Sequence, residues 1–475
     1  MLKIVECRLA SCIFFAFLFI WVKCIPFPGK IKSNIRLSYQ LKSMKKFIVT
    51  SLFYLAFFYS KAQDIYINKD TIIKGVWQLP PGAILHFGSK GHISGKGIIR
   101  GGIIDAAIGQ WIFDTTLTLY PEGTYGNDFS AKWFGAGRVA DNSTALQKGI
   151  NTVLENNATL RNFFIPKGLY LFSKPLLVQS IYKGNYTGCT IHIYGAASFW
   201  DSGNGTTLQY TATDSFAIGL QVNKGSEINN LIIKGRFKAP EAADSIYYNI
   251  PLEKYTDANK KCSPMYAGLV IDYDGSKNSS GSTGLKIHDM QVSNFSIDYL
   301  VSPNGKTFNA DILLFENIRC GDARIGFATG QAQEKGNIIR GIYSWGSLHT
   351  LYSAGTFGKS QSGHYSIDGA NIAGRCIRLF DISQRGWYST SISNIFAESI
   401  ATIGSITTQI PLAISNSTFH FVYPKIAGRQ TLFYANSSKV IFNSCTFRYY
   451  GLPDAMKFTG DAVYNNCYFS GPVVK

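Results

Sequence analysis

A chain of 475 residues can hold two or three ordinary domains or one long repeat array. With 46% hydrophobic residues it is not a disordered chain, and 46 Gly, 27 Tyr and 33 Phe against only 16% charged residues suit many short strands joined by turns better than a helical bundle. The formal charge of +17 is concentrated at one end. Residues 1–62 hold ten Lys/Arg and one acid (+9), leaving 36 basic and 28 acidic residues (+8) for the rest. That remainder is too diffuse for nucleic acid, and no Lys/Arg-rich run is interleaved with aromatics.

The N-terminus reads as targeting. Met44-Lys45-Lys46 gives a basic start, Phe47 to Phe58 an apolar core, and Ser60-Lys61-Ala62 a small-x-small cleavage pattern. Together they predict a signal peptide over 44–62 and a mature chain starting at Gln63, without a stable membrane span. The destination is secreted, periplasmic or cell-surface. Residues 1–43 read as an over-extended start; the alternative is that the apolar run Leu9 to Val22 is an N-terminal anchor, although it is short for a span. Six Cys follow residue 62 and none forms a C-x-x-C pair, which argues against a zinc site or a redox motif.

Residues 63–135 are Gly-rich and strand-like, with short runs such as Ile84-Leu85-His86-Phe87, and are expected to form a small β layer capping the main fold. Asp141-Asn142-Ser143-Thr144 then offers helix N-cap residues, and Ala145, Leu146, Ile150, Val153 and Leu154 recur at helical spacing. A capping helix near 141–155 would close the open end of a solenoid occupying 136–475. Phe163-Phe164-Ile165 and Leu169-Tyr170-Leu171 read as strands around the turn Pro166-Lys167-Gly168.

From about residue 200 the chain repeats itself. Asn230, Asp289, Asn317, Gly341, Gly369, Asn394, Asn416, Ser444 and Asn466 stand at intervals of 59, 28, 24, 28, 25, 22, 28 and 22 residues, the first being about two turns. Two places before each stand Ile228, Ile287, Phe315, Ile339, Ile367, Ile392, Ile414, Phe442 and Tyr464, all apolar. Three places after stand Ile233, Val292, Cys320, Ser344, Ile372, Ala397, Phe419, Phe447 and Phe469, of which only Ser344 is polar. Such columns predict an all-β, right-handed parallel β-helix: each coil is one turn, like residues stack about 4.8 Å apart, and Asn, Asp or Gly takes the tight bend. Regular Leu spacing is missing, which sets aside leucine-rich repeats. The stretch Phe237 to Tyr266 is an excursion, either a surface loop or the wall of a cleft.

The run Trp133-Phe134-Gly135-Ala136, Asp141, Ala145-Leu146-Gln147 and Ile165-Pro166-Lys167-Gly168-Leu169-Tyr170 resembles the N-terminal signature of the pectate-lyase-like superfamily. The match covers about 45 residues and the repeats carry the likeness further along the chain. The resemblance implies the β-helix fold and a choice among polysaccharide lyases, rhamnogalacturonase-type hydrolases, phage tail-spike depolymerases and purely binding proteins. It assigns no catalytic residue. The Asn-Thr-Asp, Asp-Asp, Gly-His-Gly and Arg-Ile-Lys motifs of polygalacturonase-type members are missing, and Gly363-His364-Tyr365 is the nearest fragment.

Nucleophile-elbow, zincin, P-loop and dinucleotide motifs do not occur. The candidate chemistry lies one place before each bend, where side chains face outward. There His288, Glu316, Arg340 and Asp368 are contiguous, flanked by Asn229 on one side and Ser393, Ser415, Asn443 and Asn465 on the other. Glu316 and Asp368 would lie about 9–10 Å apart, near the upper end for an inverting glycosidase. Arg340 between them could hold a substrate carboxylate, with His288 or Tyr343 as the base of a lyase; surface salt bridging is the plain alternative. His364, Asp368, Arg375, Arg378, Asp381 and Arg385 form a second group suited to an anionic sugar, or to solvated loop charge. Phe419, Phe447 and Phe469 read as core, whereas Trp345, Trp387 and Tyr388 are sugar platforms or packing. Cys445 and Cys467 stack within disulfide range or remain thiols. The mild basic bias fits an acidic, uronate-containing polysaccharide as partner. The expected function is a secreted lyase or glycoside hydrolase on such a glycan; the alternative is a non-catalytic glycan-binding or surface-structural β-helix, and a signal peptide counts against a tail spike. The sequence identifies no cofactor with certainty, calcium stays open for want of ligand spacing, and the oligomeric state is undetermined.

Overall fold

The computed structural model describes residues 63–475, apart from 180, 183–184, 187–189, 198–204, 223–224, 242–249, 274–281, 304–309, 331–333, 356–362, 385–389, 423–430, 436–438, 451–455, 472 and 475. Residues 1–62 lie outside this description, as do Arg385, Trp387 and Tyr388.

The repeats form a parallel β-helix, and the columns read from the sequence are its registers. Ile228, Ile287, Phe315, Ile339, Ile367, Ile392, Ile414, Phe442 and Tyr464 pair in parallel in that order. Beyond the bend the same holds from Ile233 through Val292, Cys320, Ser344, Ile372, Ala397 and Phe419 to Phe447 and Phe469. All are buried except the terminal pair, Tyr464 and Phe469, which are half-buried where the stack ends. Aromatic rings continue the column inside: Phe447 lies 5.5 Å from Phe419 and 4.7 Å from Phe469 between centroids. Ser344, the one polar member, is itself only 1% exposed.

Every bend residue adopts a left-handed backbone, from φ 50° at Asn416 and Asn466 to φ 77° at Gly369. An L-residue with a Cβ resists this conformation, and Asn, Asp and Gly tolerate it best. Each coil therefore has three legs. The first ends at this bend, the second leaves it (Lys286–Ser293 spans both), and the third follows a second corner, as in Ile297–Val301. Third legs align Ile297 with Ile325, Thr350, Arg378 and Thr402.

Residues 63–135 differ from the expected layer. They form a small parallel stack of their own, three-faced, with coils of about twenty residues: Asp64 pairs with Ile84, Ile84 with Ile103 and Ile103 with Gly123, while Val76 pairs with Ile98 and Ile98 with Thr118. Its core residues, Leu85, Ile93, Ile99, Ile104 and Phe113 among them, run without a break into that of the β-helix. Histidines tie its coils together. His86 Nδ1 is 2.6 Å from Asp105 and its Nε2 3.3 Å from Asp64; His92 Nδ1 is 2.7 Å from Asp70, with Asp114 3.3 Å from its other nitrogen. The hydrogen bond to Asp105 holds His86 above the usual histidine range against the opposing effect of burial, with Asp64 adding to it.

The helix Ser143–Glu155 packs between this stack and the first coil of the β-helix. Asn142 precedes it without a capping bond of its own; Asp141 instead accepts from the Ser143 N–H at 3.0 Å and from its hydroxyl at 2.5 Å. Gly149 faces Phe163, whose ring would stand 2.4 Å from an added Cβ, so close approach demands glycine there. The signature residues do structural work. The Trp133 indole donates to the Ala107 carbonyl at 3.0 Å and the Tyr170 hydroxyl to the Pro166 carbonyl at 2.7 Å.

One buried acid stands out. Glu334 is fully buried; its Oε2 accepts from the hydroxyls of Thr329 and Tyr365, the latter at 2.6 Å, and its Oε1 has no hydrogen-bond partner. Burial pushes its pKa up to about 7, assisted by Asp272 and Asp311 and opposed by the two hydroxyls.

Two outcomes follow for stability. Replacing Asn416 by Gly should leave the urea midpoint near that of the parent, whereas Asn416→Ala should lower stability by about 1 kcal/mol, because only the alanine resists the left-handed bend. Glu334 binds its proton more tightly when folded. Its contribution is therefore complete below the ordinary glutamate value and is lost as pH rises towards 7. Stability should fall by about 3 kcal/mol between pH 4.5 and 8, and Glu334→Gln should flatten that slope in pH-dependent denaturation.

Candidate functional site

The outward column before the bend is continuous in space. Asn229 pairs with His288, His288 with Glu316, Glu316 with Arg340, Arg340 with Asp368 and Asp368 with Ser393, each one strand step from the next. The chain places these side chains outward because the residue before each on the leg, such as Ile287 or Phe315, is drawn into the core. Glu316 and Asp368 are thus two strand steps apart, about 10 Å. Arg340 reaches back to Glu316 with an Nη1–Oε1 distance of 3.3 Å and is 57% exposed. Asp368 accepts from the Asn394 amide at 2.7 Å and the Ser393 hydroxyl at 2.8 Å. Those two bonds, then the field of Arg340, hold it below the usual carboxylate range against slight burial.

His288 lies in a knot that the repeat pattern alone does not show. Its Nε2 is 2.5 Å from Glu227 Oε1 and its Nδ1 2.6 Å from Asp289 Oδ2. The Asn229 amide nitrogen also lies 2.9 Å from the same Nε2, so polar partners hold the ring on both edges. The Asn229 amide then serves Glu227 at 2.9 Å and His192 Nε2 at 3.1 Å. Burial opposes the Glu227 charge, but His288, His192 and Lys286 outweigh it and keep the carboxyl below its usual range. Asp289 accepts in turn from Asn317 at 2.5 Å. Both nitrogens of His288 are thus engaged by neighbouring side chains, and the residue bridges two coils. Glu227 stands in the aligned Asn230 coil, one place before Ile228 and outside the columns that were read, and His192 lies one coil upstream of the alignment; the 59-residue interval is a single coil carrying the excursion, not the two turns expected, since Ile228 pairs directly with Ile287.

Tyr343 is around the bend, in the column of Gln291, Arg319 and Asn371 on the second leg, with the Arg319 guanidinium 5.0 Å from its ring centre. The second expected group is divided. His364 and Asp368 belong to the first-leg segment of Gly363–Ile372, whereas Arg375, Arg378 and Asp381 lie on Arg375–Gln384, beyond the second corner. There Arg378 pairs with Asp381 at 3.5 Å. Trp345 packs against Gly321, where a Cβ would stand 3.1 Å from its ring, so it is a packing residue. Cys445 and Cys467 are free thiols.

The excursion lies on the third legs, away from the ladder. Asp257 gathers the backbone N–H groups of Lys238, Asn259, Lys261 and Cys262 at 2.9 to 3.1 Å. Leu252, with Phe216 and Tyr273, covers an apolar outer patch of Ala267, Val270, Ile297, Leu300, Ile325 and Ala328. His349 pins this cover: its Nε2 donates to the Ile250 carbonyl at 3.0 Å, its Nδ1 accepts from Thr350 at 2.8 Å, and Tyr255 meets it edge-on. Burial, then the charge of Arg378, pushes its pKa down to about 3, so it stays neutral. A lone histidine in a strand gave no sequence signal for this.

Among the described residues no group of three or more His, Cys, Asp and Glu is arranged to hold a metal, and no helix is long and apolar enough to cross a membrane.

No protein-family model matches the chain, and no curated protein matches it. Among solved structures it is similar to the crystal structure of the Agl-KA catalytic domain, at 12% identity over 73% of this chain and 68% of that one, with a TM-score of 0.36. It is also similar to a Yersinia enterocolitica family 28 exopolygalacturonase, at 12% identity over 74% and 78% of the two chains, with a TM-score of 0.29. At these values neither likeness bears on the chemistry of the ladder.

The knot has a measurable consequence. A double-mutant cycle of Glu227→Gln and His288→Gln, read by urea denaturation, should give a coupling on the order of 1 kcal/mol that shrinks in high salt.

Proposed function

We propose that the protein is a secreted, polysaccharide-active β-helix that takes a glycan chain along the ladder from Asn229 to Asn394. The observation behind this reading is the unbroken register of polar side chains along one outer face. Its step, one strand spacing of about 4.8 Å, is close to the length of a single sugar unit, so each coil can offer hydrogen-bonding groups to one unit.

Four carboxylates (Glu227, Asp289, Glu316, Asp368) stand among two permanent cations (Lys286, Arg340) and the histidines His192 and His288. The ladder is therefore no magnet for a polyanion, and its contacts with a glycan are hydrogen bonds to hydroxyls. Cleavage is a second reading, favoured by the Glu316–Asp368 separation. Asp368, held ionised, suits a general base that activates water, and Glu316 would be the acid. Binding without cleavage is the rival, and the extensive hydrogen bonding of the ladder carboxylates to one another's neighbours favours it.

Incubation with a panel of neutral and uronate polysaccharides distinguishes these outcomes, with absorbance near 235 nm reporting lyase action and reducing ends reporting hydrolysis. Under the cleavage reading, Glu316→Gln and Asp368→Asn should each lower turnover at least a hundredfold while leaving binding nearly intact. Binding that weakens in Asn229→Ala and Asp368→Ala, without any cleavage by the parent, selects the binding protein. Retention of no polysaccharide in the panel overturns the proposal.

A further inference from the structure

A cavity of about 380 Å³ opens on the seam between the N-terminal stack and the β-helix, lined by Ser89, Gln110, Trp111, Lys132, Arg138 and the intervening glycines and alanine. Its size is at the lower end for small-ligand sites, and seams of this kind are favoured places for them. The lining carries two cations and no carboxylate. Neither Lys132 nor Arg138 has an ion-pair partner among the described residues.

The walls are held in place before any ligand arrives. Trp111 donates its indole N–H to the Phe113 carbonyl at 2.9 Å and sits 4.3 Å from the His92 ring. The Arg138 guanidinium lies 5.0 Å from the indole centre. That contact uses the π-face of the ring and consumes none of the five N–H donors of the guanidinium, which remain available for an oxyanion. Gln110 is fixed through its amide nitrogen, 2.6 Å from the Gly88 carbonyl and 3.3 Å from that of Gly91. At Gly135 a Cβ would come within 3.2 Å of the Trp111 indole nitrogen, and φ there is 85°, so the approach of this corner to the tryptophan depends on glycine.

We infer that this seam cavity is a binding subsite for a negatively charged sugar unit, a carboxylate- or sulfate-bearing ring, held by Arg138 and Lys132 against the edge of Trp111. The anionic part of the assignment comes from the cavity's own charges; the sugar part rests on the polysaccharide reading above. Arg138 supplies planar paired donors and Lys132 a mobile point charge, the combination that recognises a carboxylate or sulfate while leaving ring hydroxyls to Gln110 and Ser89.

The test is calorimetric titration of the full mature chain with a galacturonate trisaccharide, a sulfated disaccharide, a neutral glucose trisaccharide and inorganic sulfate. The charged sugars should bind and the neutral one should bind at least tenfold more weakly. Arg138→Ala should weaken the charged sugars about tenfold and Lys132→Ala less, Arg138→Lys should restore part of the loss, and 0.5 M salt should weaken binding further. Arg138 is exposed, and an unchanged melting temperature in Arg138→Ala shows that the fold survives. Equal affinity for neutral and charged sugars, or an Arg138→Ala variant that binds as the parent does, overturns the subsite. Inorganic sulfate binding as tightly as the sugars overturns its assignment to a sugar. Loss of the Arg138-dependent binding of charged sugars while polysaccharides are still retained overturns this subsite alone, whereas Arg138-dependent binding without retention of any polysaccharide overturns the ladder reading alone.

Discussion

Each coil turns its first corner on a single residue held at positive φ, and the rest of the β-helix depends on that corner. From Asn230 to Asn466 the nine bend residues all have φ between 50° and 77°. A one-residue bend leaves no slack. It fixes which residue enters the core two places before and three places after, and so the register of both adjoining legs. A slip of one residue would turn Ile287 or Phe315 outward and bring His288 or Glu316 into the core, at the cost of a buried charge. The polar ladder is thus a by-product of the same geometry that stacks the core.

Stacking at a strand spacing makes like charges close neighbours, and the chain meets this constraint repeatedly in one way. In the N-terminal stack Asp64, His86 and Asp105 come from three successive coils, and so do Asp70, His92 and Asp114. In the β-helix Glu227 from the coil before and Asp289 from the same coil flank His288, and Arg340 stands between Glu316 and Asp368 of the two adjoining coils. Arg340, a cation between two carboxylates, turns what would be repulsion into attraction across two coil interfaces. Histidine makes this attraction conditional on a proton, whereas arginine does not.

Much of this architecture was legible in the sequence because the β-helix repeats its instructions. The bend residues and both apolar columns could be aligned by eye from Asn230 onwards, and so could the order His288, Glu316, Arg340, Asp368. The N-terminal stack was harder. Its coils carry no common bend residue; positive φ is supplied by glycines such as Gly82, Gly95 and Gly101 at unequal places, so short strands suggested a layer where the chain builds turns. The chemistry of His288 was hidden for another reason. Its partners are one coil back, across an interval that the excursion stretches to the length of two turns, and one residue on, at the bend itself. His349 and Glu334 gave no signal, since what distinguishes them is burial and the identity of neighbours distant in the chain.

The second and third corners follow the rule only in some coils: Asn294, Asp322 and Gly346 repeat it at the second corner, and Asp272, Ser302 and Gly355 at the third. The excursion near Tyr255 leaves the coil after the second leg and returns at Ala267, and the legs on either side keep their pairing: Ile233 with Val292, Leu220 with Ile271. A chain that repeats one corner in every coil and varies the others separates its scaffold from its decoration. Loops of new length or chemistry can be grafted where a later corner varies, as the excursion shows, because the first bend keeps the register of the legs beside it. Such a protein offers a ready frame for engineering: a rigid, evenly graduated rod on which side chains are addressed by coil number.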